Sequence, residues 1–258
     1  MTDMFFGCVS LTSIKLTNLN TASVEYMQSA FYECKSLTEL DLSSFVTSKV
    51  TTMSYMFKEC SSLVKLKVGS FNTANVENME AMFHLLTKLT SLDITNFDTS
   101  KVTNMLSMFH GCVALTSLDL RNFRTSRVEN MAKMFNDLNC IKVLDLSKFD
   151  TSKVSTMNAM FEDCRSMISL YISNFVTTEV TDMYHMFALC ENLISVDLSN
   201  FRTPKLTTMQ QMFHNCKSLT SLDLSKFITS QITYMYGLFN GCESLKSLDL
   251  RNFDNIKS

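Results

Sequence analysis

One 26-residue phrase runs the length of this chain and constrains its fold more than any other feature. The Met-Phe core of the phrase recurs at Met4-Phe5, Met56-Phe57, Met82-Phe83, Met108-Phe109, Met134-Phe135, Met160-Phe161, Met186-Phe187 and Met212-Phe213. Ala30-Phe31 and Leu238-Phe239 fill the two remaining slots, and no insertion or deletion breaks the interval. A fixed period of roughly 20–50 residues marks a solenoid or array, in which each unit leans only on its neighbours. The 258 residues are therefore read as one solenoid of about ten units rather than as one or two globular domains.

Residue usage follows the phrase. Of 19 Met, all but Met167 fall at two repeat positions, and of 20 Phe, all but Phe6 fall at two others. That is a packing lattice, not a scatter of ligands, and no cofactor is expected. Eight of the nine cysteines (Cys8, Cys34, Cys60, Cys112, Cys164, Cys190, Cys216, Cys242) share one position, which Leu86 and Leu138 hold in the other two units. Leucine can replace a buried thiol but neither a bridge nor a zinc ligand, so these are read as reduced, core-packed thiols. Cys140 is off-register and is expected to differ. The net charge of −2 supplies no strong field for nucleic acid or an anionic membrane. No apolar run is long enough to span a bilayer, and no signal peptide is visible.

Each unit has two halves. The first reads L-x-x-L-D-L-S-x-F, as in Leu115, Leu118, Asp119, Leu120 and Phe123. Its alternation predicts a short half-buried strand, and stacking predicts one parallel sheet. The second half reads V-T-x-M-x-x-M-F-x-x-C, as in Val102, Met105, Met108, Phe109 and Cys112. Its apolar spacing predicts one face of a short helix that buries Met105, Met108, Phe109 and Cys112 against Leu118 and Leu120. A Thr-Ser turn is expected to precede that helix. With one Pro and five Gly in the chain, turns fall to Asn, Asp, Ser and Thr, and the Thr column from Thr21 to Thr229 is read as a turn-stabilising ladder. The chain starts and ends mid-repeat, with no legible cap. The strands around Ile14 and Leu248 are expected at the sheet edges, with end-to-end self-association as a consequence.

The phrase M-F-x-x-C-x-x-L-x-x-L-D-L-S-x-F-x-T-S-x-V-T-x-M resembles the repeats of BspA-like leucine-rich-repeat surface proteins, over Met1 to Asp254. Departures are Leu86 and Leu138 at the Cys position, Lys15, Lys67 and Tyr171 at the Asp position, and Pro204 at a Ser position. The resemblance implies an α/β solenoid with a parallel sheet on its concave face and short helices on the other. It also implies display on a cell surface, as part of a longer protein, and adhesion to host or neighbouring-cell macromolecules.

The candidate binding face is the solvent side of the strands: Lys67, Asp93, Asp119, Asp145, Tyr171, Asp197, Asp223 and Asp249. Inward positions are uniformly Leu, Ile or Val, whereas these outward ones vary, and a solenoid can write recognition there without disturbing its packing. Tyr171 is the expected anchor, and a cationic protein or other macromolecule the expected partner. The bland alternative is a solvated acidic stripe. His84, His110 and His214 share one position and are expected to be exposed. No nucleophile–base–acid set and no phosphate loop are visible. The expected function is a non-catalytic recognition module of a surface adhesin, with an intracellular scaffold repeat as the alternative. The absence of any N-x-S/T sequon among 19 Asn disfavours a glycosylated ectodomain.

Overall fold

The computed structural model describes residues 1–253, so the reading of a solenoid to Ser258 runs past the described residues. Four short strands form: β1 (Glu39–Asp41), β2 (Lys65–Lys67), β3 (Val143–Asp145) and β4 (Ser169–Tyr171). β1 pairs with β2 and β3 with β4, both parallel and in register at one repeat. The expected single sheet through every unit is therefore replaced by two two-stranded pieces. In the paired strands Asp41 faces Lys67 and Asp145 faces Tyr171. The units that place Asp beside Asp, at Asp93–Asp119–Asp145 and Asp197–Asp223–Asp249, form no regular strand pair across those neighbours. Strand pairs are equally absent between Lys15 and Asp41, Lys67 and Asp93, and Tyr171 and Asp197, so like charge is not what decides them. The segments around Ile14 and Leu248 are irregular rather than edge strands.

The predicted helices do not form, and no helix occurs among the described residues. The Met-x-x-Met and Phe-x-x-Cys segments are instead successive turns, closed by Met108 N–H to the Met105 carbonyl at 3.2 Å and Cys112 N–H to the Phe109 carbonyl at 3.2 Å. Cys112–Leu115, Leu120–Phe123 and Thr125–Val128 close in the same way. Each turn brings its first and fourth residues to the core, so a chain of turns writes the same three-residue apolar spacing as a helix. The third residue of the first two turns has positive φ in all ten units, from Asp3 at 53° to Gly241 at 77°. This is the geometry of a type II turn, which favours Gly or Asn there. Sixteen of the twenty positions carry another residue or Asn, each in a conformation that costs an L-residue roughly 1–2 kcal/mol.

What offsets that cost is the bond each turn makes to the next unit. Met105, Ser107, Phe109 and Gly111 donate their N–H groups to Asn130, Ala132, Met134 and Asn136, at 2.9–3.1 Å. Alternate residues of the turn segment thus reach outward along the solenoid while the others close the turns. A column of parallel bridges accompanies them, unbroken from Tyr26 through Thr52, Asn78, Asn104, Asn130, Thr156, Asp182 and Thr208 to Tyr234. The continuous backbone ladder therefore lies on the Met-Phe half and not on the Leu-Asp-Leu half.

The core is as expected. Met105, Met108, Phe109 and Cys112 are fully buried, Leu120 is buried and Leu118 partly so. The rings of Phe31, Phe57, Phe83, Phe109, Phe135, Phe161, Phe187 and Phe213 stack in one column with centroids 5.5–5.9 Å apart. The Thr column joins units as well as shaping the turn within one. Thr125 Oγ1 donates to the Asp150 carbonyl at 2.8 Å and accepts from Asp150 N–H at 2.8 Å, and the pattern repeats from Thr21 to Thr203. Seven in-register thiols donate to the Phe carbonyl of the preceding unit at 3.0–3.2 Å.

Candidate functional site

The Leu-Asp-Leu segments turn Lys67, Asp93, Asp145, Tyr171, Asp197, Asp223 and Asp249 to solvent, with Asp119 half-buried among them. They line one side of successive units because the alternating Leu residues on either side of each are drawn into the core. The Asp residues also have a local task. Oδ1 of Asp93, Asp119, Asp145, Asp197, Asp223 and Asp249 accepts the N–H of the residue two further on, at 2.9–3.2 Å. Such an Asx turn ends the extended segment and satisfies a backbone donor.

These bonds shape the charge of the face. Hydrogen bonds from Ser147 and Ser199 hold the Asp145 and Asp197 carboxyls below the usual carboxylate range, and Ser225 does the same for Asp223. Arg121 chelates Asp119 and Arg251 chelates Asp249, each through two nitrogens, and lowers both carboxyls. Lys67 Nζ lies 2.7 Å from Asp41 Oδ2. Asp119, Asp145, Asp197, Asp223 and Asp249 stay ionised at neutral pH, and Arg121 and Arg251 neutralise two of them from within.

Tyr171, 54 % exposed at the end of β4, is not alone. Val143 (55 %), Ile168 (41 %) and Ile194 (50 %) are exposed on the same and the adjoining units. Ile168 and Ile194 wall an open groove with Lys142, Ser166, Asn192 and Ser218. Most other units place Ser or Thr where Val143, Ile168 and Ile194 stand. That substitution within a rigid phrase was the legible signal for the cluster, and a reading confined to the Asp position passes over it.

The histidines are half-buried, contrary to expectation. The turn that carries them stacks in register, so the rings of His84 and His110 lie face to face, with centroids 4.5 Å apart and planes 5° apart. Nδ1 of each is buried without a partner among the described residues. Burial, then His110, Lys58 and Lys133, push His84 down to about 4, and burial followed by Lys133 lowers His110. Stacked rings point their nitrogens in parallel rather than converging on one ion. No group of three or more His, Cys, Asp or Glu suited to a metal ion occurs among the described residues. Cys140 and Cys8 are exposed, whereas burial pushes Cys112 and Cys164 up to about 12.

A leucine-rich cell-surface protein from Faecalibacterium prausnitzii is 18 % identical, with 95 % of this chain and 74 % of that one covered, at a TM-score of 0.45. A leucine-rich-repeat protein from Eubacterium ventriosum is 15 % identical, covering 90 % of this chain and 61 % of that one, at 0.46. An internalin from Listeria monocytogenes is 15 % identical, covering 96 % and 85 %, at 0.28. None of these likenesses assigns a role to a residue of this chain. No curated protein matches. No helix among the described residues is long and apolar enough to cross a membrane. A family profile matches residues 1–86, 63–169 and 136–253, and on that span the chain belongs to the family described as Mycoplasma protein of unknown function, DUF285.

Proposed function

We propose that this chain is a non-catalytic recognition module of the adhesion type, the repeat region of a cell-surface protein, and that it binds a macromolecular partner through the exposed strand face centred on Tyr171. The observation that carries this reading is that Val143, Ile168, Tyr171 and Ile194 are exposed together on adjoining units, where most other units place Ser, Thr or Asp. Binding energy concentrates in a few desolvated aromatic and aliphatic anchors rather than in a charged field. The acidic residues on both sides, Asp145 and Asp197, suit a partner with cationic groups flanking an apolar knob. The BspA-like resemblance of the phrase points the same way.

The test is adhesion of chain-coated beads to cultured host cells and to immobilised matrix proteins. Tyr171→Ser is expected to weaken adhesion by about tenfold or more, the scale of a lost aromatic anchor. Replacing Asp93, Asp119 and Asp145 together with Asn keeps an acceptor for each Asx turn and is expected to reduce the salt sensitivity of adhesion. If both variants fold and adhere as the parent does, this face is not the site.

A further inference from the structure

A second surface lies on the turns that follow the strand segments. There Thr95, Asn96, Asp98, Arg121, Asn122, Arg124 and Lys148 from three successive units line an open groove of about 540 Å3. We propose that this groove binds the acidic groups of an anionic polysaccharide.

Charge comes first. Three cations line the groove against one carboxylate, Asp98, whose Oδ1 is already engaged by Ser100 N–H at 2.9 Å. Arg121 is held by Asp119, but no carboxylate lies within salt-bridge distance of Arg124 or Lys148 among the described residues. Lys101, Arg127 and Lys153 repeat at one position of the same three units, all exposed. Asp98 interacts with Lys101 and Arg124, and Asp150 with Lys153, so this surface is basic with carboxylates between its cations. The overall charge of −2 hides this local concentration.

Shape and spacing come second. The groove takes its cations from two adjoining units, Arg121 and Arg124 from one and Lys148 from the next, while Lys101, Arg127 and Lys153 recur at one position per unit, at roughly the 4.8 Å spacing of paired strands, so the charge suits a polymer better than a single ion. The groove is open along the solenoid, as an extended chain requires. Arginine supplies a planar fork for a carboxylate or sulfate, and lysine a mobile point charge. Asn96 and Asn122 tie their Nδ2 groups to the Gly69 and Thr95 carbonyls, at 3.1 and 2.7 Å, which leaves Oδ1 acceptors for sugar hydroxyls. The aromatic residues of the groove, Phe97 and Phe123, are 1 % and 3 % exposed. Bases have no ring to stack on, and stacking platforms are the usual means of holding single-stranded nucleic acid.

The experiment measures binding of the intact chain to low-molecular-weight heparin, polygalacturonate, neutral dextran and a single-stranded oligonucleotide. Binding is expected for one or both acidic glycans and not for dextran, weakening as salt rises. Which acidic glycan binds separates sulfate from carboxylate recognition. The Arg124→Gln/Lys148→Gln variant is expected to lose at least about tenfold in affinity, while Tyr171→Ser leaves glycan binding unchanged. Should the first variant fail to fold, Arg127→Gln/Lys153→Gln carries the test, with a smaller loss expected. The proposal is overturned if neither acidic glycan binds, if the folded variant binds as tightly as the parent, or if the oligonucleotide binds more tightly than both glycans. A Tyr171→Ser loss in cell adhesion with unchanged glycan binding keeps the two surfaces distinct.

Discussion

At the residue scale, the ladder cysteines and the paired histidines make opposite demands on pH. Six thiols, from Cys34 to Cys216, are buried, while Cys8 and Cys140 are exposed. Alkylation of the folded chain should therefore label Cys8 and Cys140 and spare the buried six, because all six are shielded and the reactive thiolate is also disfavoured at Cys60, Cys112, Cys164, Cys190 and Cys216. Alkylation of the unfolded chain without reductant should add nine groups, and fewer would show that a bridge exists. The His84–His110 stack is stable only while neutral. Its folded-state affinity for protons lies below the ordinary value of about 6.5, so it contributes stability that is complete above that pH and is lost as pH falls toward 4. Lys58 and Lys133 oppose protonation of both rings, and Glu162 favours it for His110. His84→Asn/His110→Asn uses the residue that Asn136 and Asn240 already supply at this position. Between pH 7 and 4.5 the parent should lose more thermal stability than this variant, and an equal loss would contradict the account.

At the element scale, the turn segment is where reading the sequence and seeing the structure part company. Met105, Met108, Phe109 and Cys112 were legible as core because a three-residue spacing forces them to one side in a turn or a helix alike. The choice between those two was not legible from spacing. It was written in four of the five glycines: Gly7, Gly111, Gly237 and Gly241 occupy the two positions that every unit holds at positive φ. At Gly111 a Cβ would stand 2.4 Å from Leu85 Cδ2, so a substitution there would have to displace the end of that side chain as well as adopt positive φ. Lys133 holds the corresponding earlier position at φ 55° and is exposed. Lys133→Gly should leave stability unchanged or raise it by up to ~1 kcal/mol, since it relieves a left-handed residue and removes no packing. In a helix the same change would cost about 1 kcal/mol. The shift of the denaturant midpoint carries the sign.

At the scale of the whole molecule, the repeat made the solenoid legible, and the fixed interval made its register legible. The placement of the continuous ladder was not. The Leu-Asp-Leu half looks like the better strand, yet it pairs in only two places among the described residues. The Met-Phe half carries the unbroken bridges because alternate turn residues are left free to bond along the stack. Of the candidate site, the outward residues and Tyr171 were legible from alternation. The exposed Val143, Ile168 and Ile194 beside it were also written in the phrase, at positions that most units fill with Ser or Thr, and a reading confined to the Asp position passes over them. The chain is thus a stack of turns joined by unit-to-unit hydrogen bonds, with no helix among the described residues. Far-UV circular dichroism of the purified chain tests this most directly. The expected spectrum is that of turns and extended backbone, without the helical double minimum. A deep helical double minimum, of the strength that a short helix in every unit would give, would contradict it.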